Sequence, residues 1–199
     1  MGAFSQRRLT DPHQLRALAH PTRLSLLTEV GLRGTLTATQ AAEIVGGTPA
    51  ASAYHLRALG RHGFIEEAEG GDGRERPWKL SHVGFSWNEQ SEDPAEQTVA
   101  RALGDVMRED WLRHIRNYYE NADRYPADVR AVSAAGEIIL FATRDELEDV
   151  QRKIAALLEP FKDRIADSTL RPPGFPPFEM IVFAHPLMPP DGSGESATP

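Results

Sequence analysis

Cysteine does not occur in this chain of 199 residues, which excludes disulfides and every thiolate metal site. No apolar run approaches the ~18 residues that would read as a membrane span. The opening stretch 1–12 is polar and lacks the apolar core of a secretory signal. A cytoplasmic protein without membrane contact is the expectation. The signatures of catalysis are also missing: no glycine loop opens a helix to cradle phosphate, and there is no nucleophile elbow and no paired-histidine motif. Gly70-Gly71-Asp72-Gly73 falls inside a predicted hairpin rather than before a helix. The chain therefore reads as a non-enzyme that needs no cofactor.

Positive charge is in short supply overall, with 22 Lys/Arg against 29 Asp/Glu and a net charge of -7. The balance differs along the chain. From His13 to Val83 there are 8 Lys/Arg against 7 Asp/Glu plus five His, whereas from Gly84 onward there are 12 against 21. The acidity belongs to the C-terminal half, so a nucleic-acid partner is expected only in the N-terminal half, with modest non-specific affinity.

What is present begins with a run of short helices. Residues 13–19 form an amphipathic segment ended by Pro21, which opens a second helix with Leu24, Leu27 and Val30 on one face. Thr37 and Gln40 have capping-box spacing before Ala41-Ala42-Glu43-Ile44-Val45, and Gly46 closes that helix. Thr48 is a good N-cap and Pro49 suits the first position of the next helix, which Gly63 can terminate. Two short helices about a glycine turn have the spacing of a helix-turn-helix. On the second of them, Ser52, Leu56 and Leu59 cluster inward. Ala50, Ala51, Tyr54, Arg57, Ala58 and Arg61 point outward, with His55 on the flank. Small residues at the helix start permit close approach, and Tyr54, His55 and Arg57 supply hydrogen bonds to base edges in a major groove.

Residues 64–69 and 76–81 flank a glycine-rich tip and read as a β-hairpin whose Arg74 and Arg76 can reach DNA backbone or minor groove, against the alternative of a solvated loop. A polar linker, 87–94, precedes a long helix over 95–125. There Val99, Leu103, Val106, Met107, Trp111, Ile115 and Tyr118 recur at three- and four-residue steps, which suits packing against a second copy. Residues 137–143 read as a buried strand. Thr143 caps a helix running to about Arg164, and 178–184 read as a second strand, together a small βαβ-like unit. The tail, 189–199, reads as disordered.

Leu18-Ala19-His20-Pro21-Thr22-Arg23-Leu24-Ser25-Leu26-Leu27, followed by the segment from Ser52 to Ile65, resembles the two signatures of the ArsR-type winged helix-turn-helix regulators. The likeness covers about Gln14 to Leu80. It implies a dimeric bacterial transcription regulator, commonly a repressor released by a small ligand or metal. Carried over by position, Ala50, Ala51, Tyr54, His55 and Arg57 would read bases, with Arg74 and Arg76 in the wing; His20 would be structural. The chain departs from the founding members in having no cysteines and a much longer C-terminal part, as in the subgroup with an added domain.

The fold expected is mainly α: a winged helix-turn-helix, a long dimerisation helix and a small α+β unit. The expected division is 1–90 for DNA binding, 95–188 for dimerisation and a candidate effector site, and 189–199 as tail. The DNA-binding set is Thr48, Ala50, Ala51, Tyr54, His55, Arg57, Arg61, Arg74 and Arg76, on an operator met by a homodimer. The aromatics Trp111, Tyr118, Phe141, Phe161 and Phe183 are the candidate pocket for a small-molecule effector, against the alternative of plain core. Two other readings compete: a winged helix used for protein contacts, and a metal-responsive repressor using Asp110 and His114. The second is disfavoured because that helix carries a single histidine, and the first because Pro49 to His62 holds cations and no carboxylate.

Overall fold

A computed structural model describes residues 7–69 and 76–187. Arg7–Arg8 form β1, followed by α1 (Pro12–Leu18), α2 (Pro21–Arg33), α3 (Ala38–Val45) and α4 (Pro49–Arg61). The hairpin strands β2 (Ile65–Glu67) and β3 (Trp78–Leu80) come next, then β4 (Phe85–Ser86) and the long α5 (Pro94–Glu120). Beyond it lie α6 (Ala127–Ala131), α7 (Arg144–Leu158) and α8 (Asp163–Ala166), with short 3-10 turns between them. The protein is mainly helical with a small antiparallel strand pair after the helix-turn-helix, as the sequence predicts.

Local chemistry sets these boundaries. Pro sits in the first turn of α1, α2, α4 and α5, where no intrahelical amide bond is lost. Thr37 and Gln40 close the capping box on α3: the hydroxyl accepts from the Gln40 amide at 3.3 Å and the Gln40 side chain accepts from the Thr37 amide at 2.9 Å. Thr143 and Glu146 do the same for α7. In the hairpin, Ile65 faces Leu80, Glu66 faces Lys79 and Glu67 faces Trp78. Leu36 adds an isolated antiparallel bridge beside the hairpin, exchanging both backbone bonds with Trp78 at 2.9 Å.

The core is confined to the first half of the chain. Among the described residues, every buried apolar one except Val129 lies between Leu9 and Leu103. Leu15, Leu18, Leu26, Val30, Leu56, Leu59, Phe64 and Ile65 form its centre, and α5 closes one side with Val99, Ala100 and Leu103. Two contributors escape a reading of periodicity. The opening stretch, read as merely polar, supplies the fully buried Leu9, and β1 pairs in parallel with β4. Two residues are too few for a period to register.

Several expectations need correction. The stretch 87–94 is not a loose linker, because the Trp87 indole donates to Glu89 at 3.1 Å and Arg108 of α5 pairs with Glu89 at 2.9 Å. The long helix stops at Glu120 rather than 125, and the one expected to reach Arg164 breaks after Leu158. Most consequential, neither 137–143 nor 178–184 is a strand among the described residues, and no α+β unit is assembled there. A strand needs a hydrogen-bonded neighbour, and one chain offers these segments none. The tail 189–199 lies outside the described residues.

Gly60 shows how tightly the hairpin is set on α4. A Cβ at this position would stand 2.6 Å from Cζ3 of Trp78. Alanine would gain up to ~1 kcal/mol of helix propensity but must displace the indole. Gly60→Ala is expected to lower unfolding stability by about 1–3 kcal/mol, read from urea titrations. An unchanged midpoint would show that Trp78 moves aside without cost.

Candidate nucleic-acid interface

The turn between α3 and α4 is made by Gly46 and Gly47, with φ of 80° and 93°. Nothing lies within 4 Å of a Cβ built on either, so the requirement is for backbone conformation and not for space. Thr48 then caps α4, its hydroxyl accepting from the Ala51 amide at 3.2 Å. The inner face is dry: Ser52, Leu56 and Leu59 are all buried against the core. Ala58 joins them, contrary to the outward position expected from the helical wheel. Because α4 packs on both α2 and α3, its buried arc is wider than a single-sided helix would have.

The outer face consists of Ala50 and Ala51 in the first turn, Tyr54, Arg57 and Arg61, all exposed. Tyr54 keeps 57% of its surface open, large for an aromatic side chain one position before a packed histidine. His55 turns inward instead. Its ring lies 4.9 Å from that of His20, the residue preceding α2, and 5.4 Å edge-on to Tyr54. The residue expected to read bases thus packs between the rings of His20 and Tyr54. Arg23 completes this layer, with one guanidinium nitrogen donating to the Arg16 carbonyl at 3.1 Å. His20 Nδ1, His55 Nδ1 and Arg23 Nε are buried without a hydrogen-bond partner.

At the other end of α4, Gly63 takes φ of 71° and Arg7 reaches across to cap the helix. Its guanidinium donates to the carbonyls of Gly63 at 2.5 Å and His62 at 3.1 Å, and lies over the Phe64 ring. A cation there complements the negative end of the helix dipole. Sequence reasoning missed Arg7, since nothing local ties it to a helix more than fifty positions away. In the hairpin, Arg76 is exposed but bound to Glu67 at 2.5 Å, and Lys79 pairs with Glu66 at 3.2 Å. Arg74 and the tip, 70–75, lie outside the described residues.

The aromatic residues of the second half are not gathered into a pocket. Trp111 meets Phe183 edge-on at 5.2 Å, but Tyr118 packs with Tyr119 and Tyr125, Phe161 lies under Arg164, and Phe141 is 97% exposed. Of these aromatics only Trp111 lines a half-open cavity of about 250 Å³ between α2, the hairpin and α5, whose other walls are Leu24, Leu27, Phe64, Leu80 and Phe85. At its rim His114 bridges Asp110 and Glu179, and Arg113 takes the other side of Asp110. Among the described residues no three His, Asp or Glu side chains stand where they could hold a metal ion. No described helix is long and apolar enough to cross a membrane.

Burial is the main cause that holds His20, His55 and His62 below the usual imidazole value. Arg23 adds repulsion at His20, both His20 and Arg23 at His55, and Arg61 at His62. In the unfolded chain these rings take up protons near the ordinary value of 6.5, whereas the folded rings resist until the pH is lower. Their contribution to stability is therefore complete above that value and is lost as the pH falls below it. The urea midpoint should drop between about pH 7.5 and 5.5, and His55→Gln should drop less. Equal losses in both proteins would remove this pair as the source.

Residues 18–68, about a quarter of the chain, match the family described as helix-turn-helix domain. A comparison with curated proteins finds no match. The matched span begins at the end of α1, takes in α2, α3 and α4, and closes in the first strand of the hairpin and the residue after it.

Proposed function

We propose that this protein is a sequence-specific transcription regulator of the ArsR-like winged-helix type, acting as a homodimeric repressor. The observation that carries the proposal is the outer face of α4, where Tyr54, Arg57 and Arg61 stand exposed behind two small first-turn residues with no carboxylate from Pro49 to His62. That face enters a major groove. Tyr54 and Arg57 read bases, while Arg61 and the hairpin cations, Arg74 among them, neutralise phosphates. Two copies set their α4 helices in half-sites about one helical turn, roughly 34 Å, apart. Within this proposal the part up to residue 90 binds DNA, and 95–188 dimerises and answers to an effector. The space for a small effector is the cavity between α2 and α5 rather than the scattered aromatics.

Fluorescence anisotropy against the DNA upstream of the protein's own gene, with a scrambled competitor and two salt concentrations, tests the proposal. Specific binding should survive the competitor. Tyr54→Ala or Arg57→Ala should weaken it by about 1–3 kcal/mol. Arg74→Ala should weaken all sequences alike and flatten the salt dependence. Wild-type affinity in both α4 variants would place the reading face elsewhere, and equal, salt-labile binding to both DNAs would favour a protein-contact role for the winged helix.

A further inference from the structure

The second half of the chain has the elements of a folded layer without the layer. The segments 137–143 and 178–184 are largely apolar and lie outside every helix and strand, and α7 between them buries none of its residues completely. Yet α7 has a well-made start, the Thr143–Glu146 capping box, and its polar side is laced by Arg144–Glu148 and Lys153–Asp149 pairs. An amphipathic helix of this length depends on packing of its apolar side. From Ile138 to Leu187, fifteen large apolar side chains are at least two-fifths exposed, against six in the described chain before them. Summed, they expose on the order of 1,000 Å² of apolar surface, as much as one side of a stable dimer buries. An open groove of about 480 Å³ lies between Leu140–Ala142 and the first turns of α7, with Val150 on its wall.

We propose that a second copy of this chain covers this surface, the segments 138–142 and 178–183 of the two copies pairing into one intermolecular sheet on which both α7 helices pack. The inference rests on the homodimer proposed above and locates its contact. Self-association fits better than another occupant for three reasons. Segment 138–142 carries no charge and 178–183 a single one, Glu179, so identical strands meet without repulsion. Two strands and one helix make too small a core to stand alone, and doubling them gives four strands and two helices. The surrounding half is acidic, with 12 Lys/Arg against 21 Asp/Glu from Gly84 onward, which disfavours nucleic acid and anionic membranes. The surface also continues along α5, where Leu112, Ile115 and Tyr119 are exposed at spacings of three and four.

Sedimentation velocity of the full chain at micromolar concentration tests this. The wild type should run as a dimer, and Phe141→Asp with Met180→Asp should run as a monomer. Both side chains are exposed in the single chain, at 97% and 69%, so helix content and the stability of the DNA-binding half should be kept. Hydrogen exchange gives a second reading that needs no variant: amides in 138–142 and 178–183 should be protected in the wild type. A dimer that survives both substitutions but dissociates on Leu112→Asp with Ile115→Asp would overturn the sheet and leave the homodimer. A wild type that stays monomeric, with both segments exchanging freely, would overturn both and indicate a different protein partner.

Discussion

One side of α4 is buried, and the rest of the interface follows from that burial. Leu56 and Leu59 are fully enclosed, Ser52 and Ala58 nearly so. Each leucine contributes roughly 1.5–3 kcal/mol by leaving water. Turning the helix by one position would expose them and drive Arg57 or Tyr54 into an apolar layer, where a charge without a partner costs far more. The outward set is therefore fixed by what the core accepts, not by any attraction to a partner. Gly60 extends the constraint to the hairpin, since the Trp78 ring occupies the space a side chain would need. Helix and wing thus form one surface.

Two arginines bind the ends of this core to distant parts of the chain. Arg7 donates to the carbonyls at the close of α4, and Arg171 donates to the Gly31 and Leu32 carbonyls near the close of α2. Both place a cation where helix carbonyls lack intrahelical partners, which satisfies hydrogen bonds and opposes the dipole at once. Arg171 also holds the turn after α8 on the helical core, beside Gly34. A shift of the C-terminal region would be felt at the end of α2, whose other end carries the His20 layer behind Tyr54.

Local rules made the helix-turn-helix legible. The capping residues Thr37 and Thr48, the prolines in the first turns and the paired glycines each act within a few residues, so sequence spacing is enough to read them. The outward face of α4 was legible for the same reason, apart from Ala58, whose burial depends on how many neighbours the helix has. Leu9, Arg7 and Arg171 were not legible, because their contacts join positions far apart and carry no period. The segments 137–143 and 178–184 show the opposite limit. Their composition states that they must be covered, but strand formation is a property of a pair, and composition does not name the partner.

α5 joins the two halves of the problem. Its first turns belong to the core through Val99, Ala100 and Leu103, while its later turns carry exposed apolar residues. At 1.5 Å per residue its 27 residues run for about 40 Å without a break. A helix anchored in the core at one end transmits a contact at the other along its length, with no break in the helix to absorb it. The Glu89–Arg108 pair stiffens the junction further, and Gly104 lets Glu89 lie against the helix, since a Cβ there would meet its carboxylate at 2.0 Å. In the proposed dimer the separation of the two α4 helices is then set by the packing of the C-terminal halves. Reading of the operator and assembly of the dimer become one mechanical constraint.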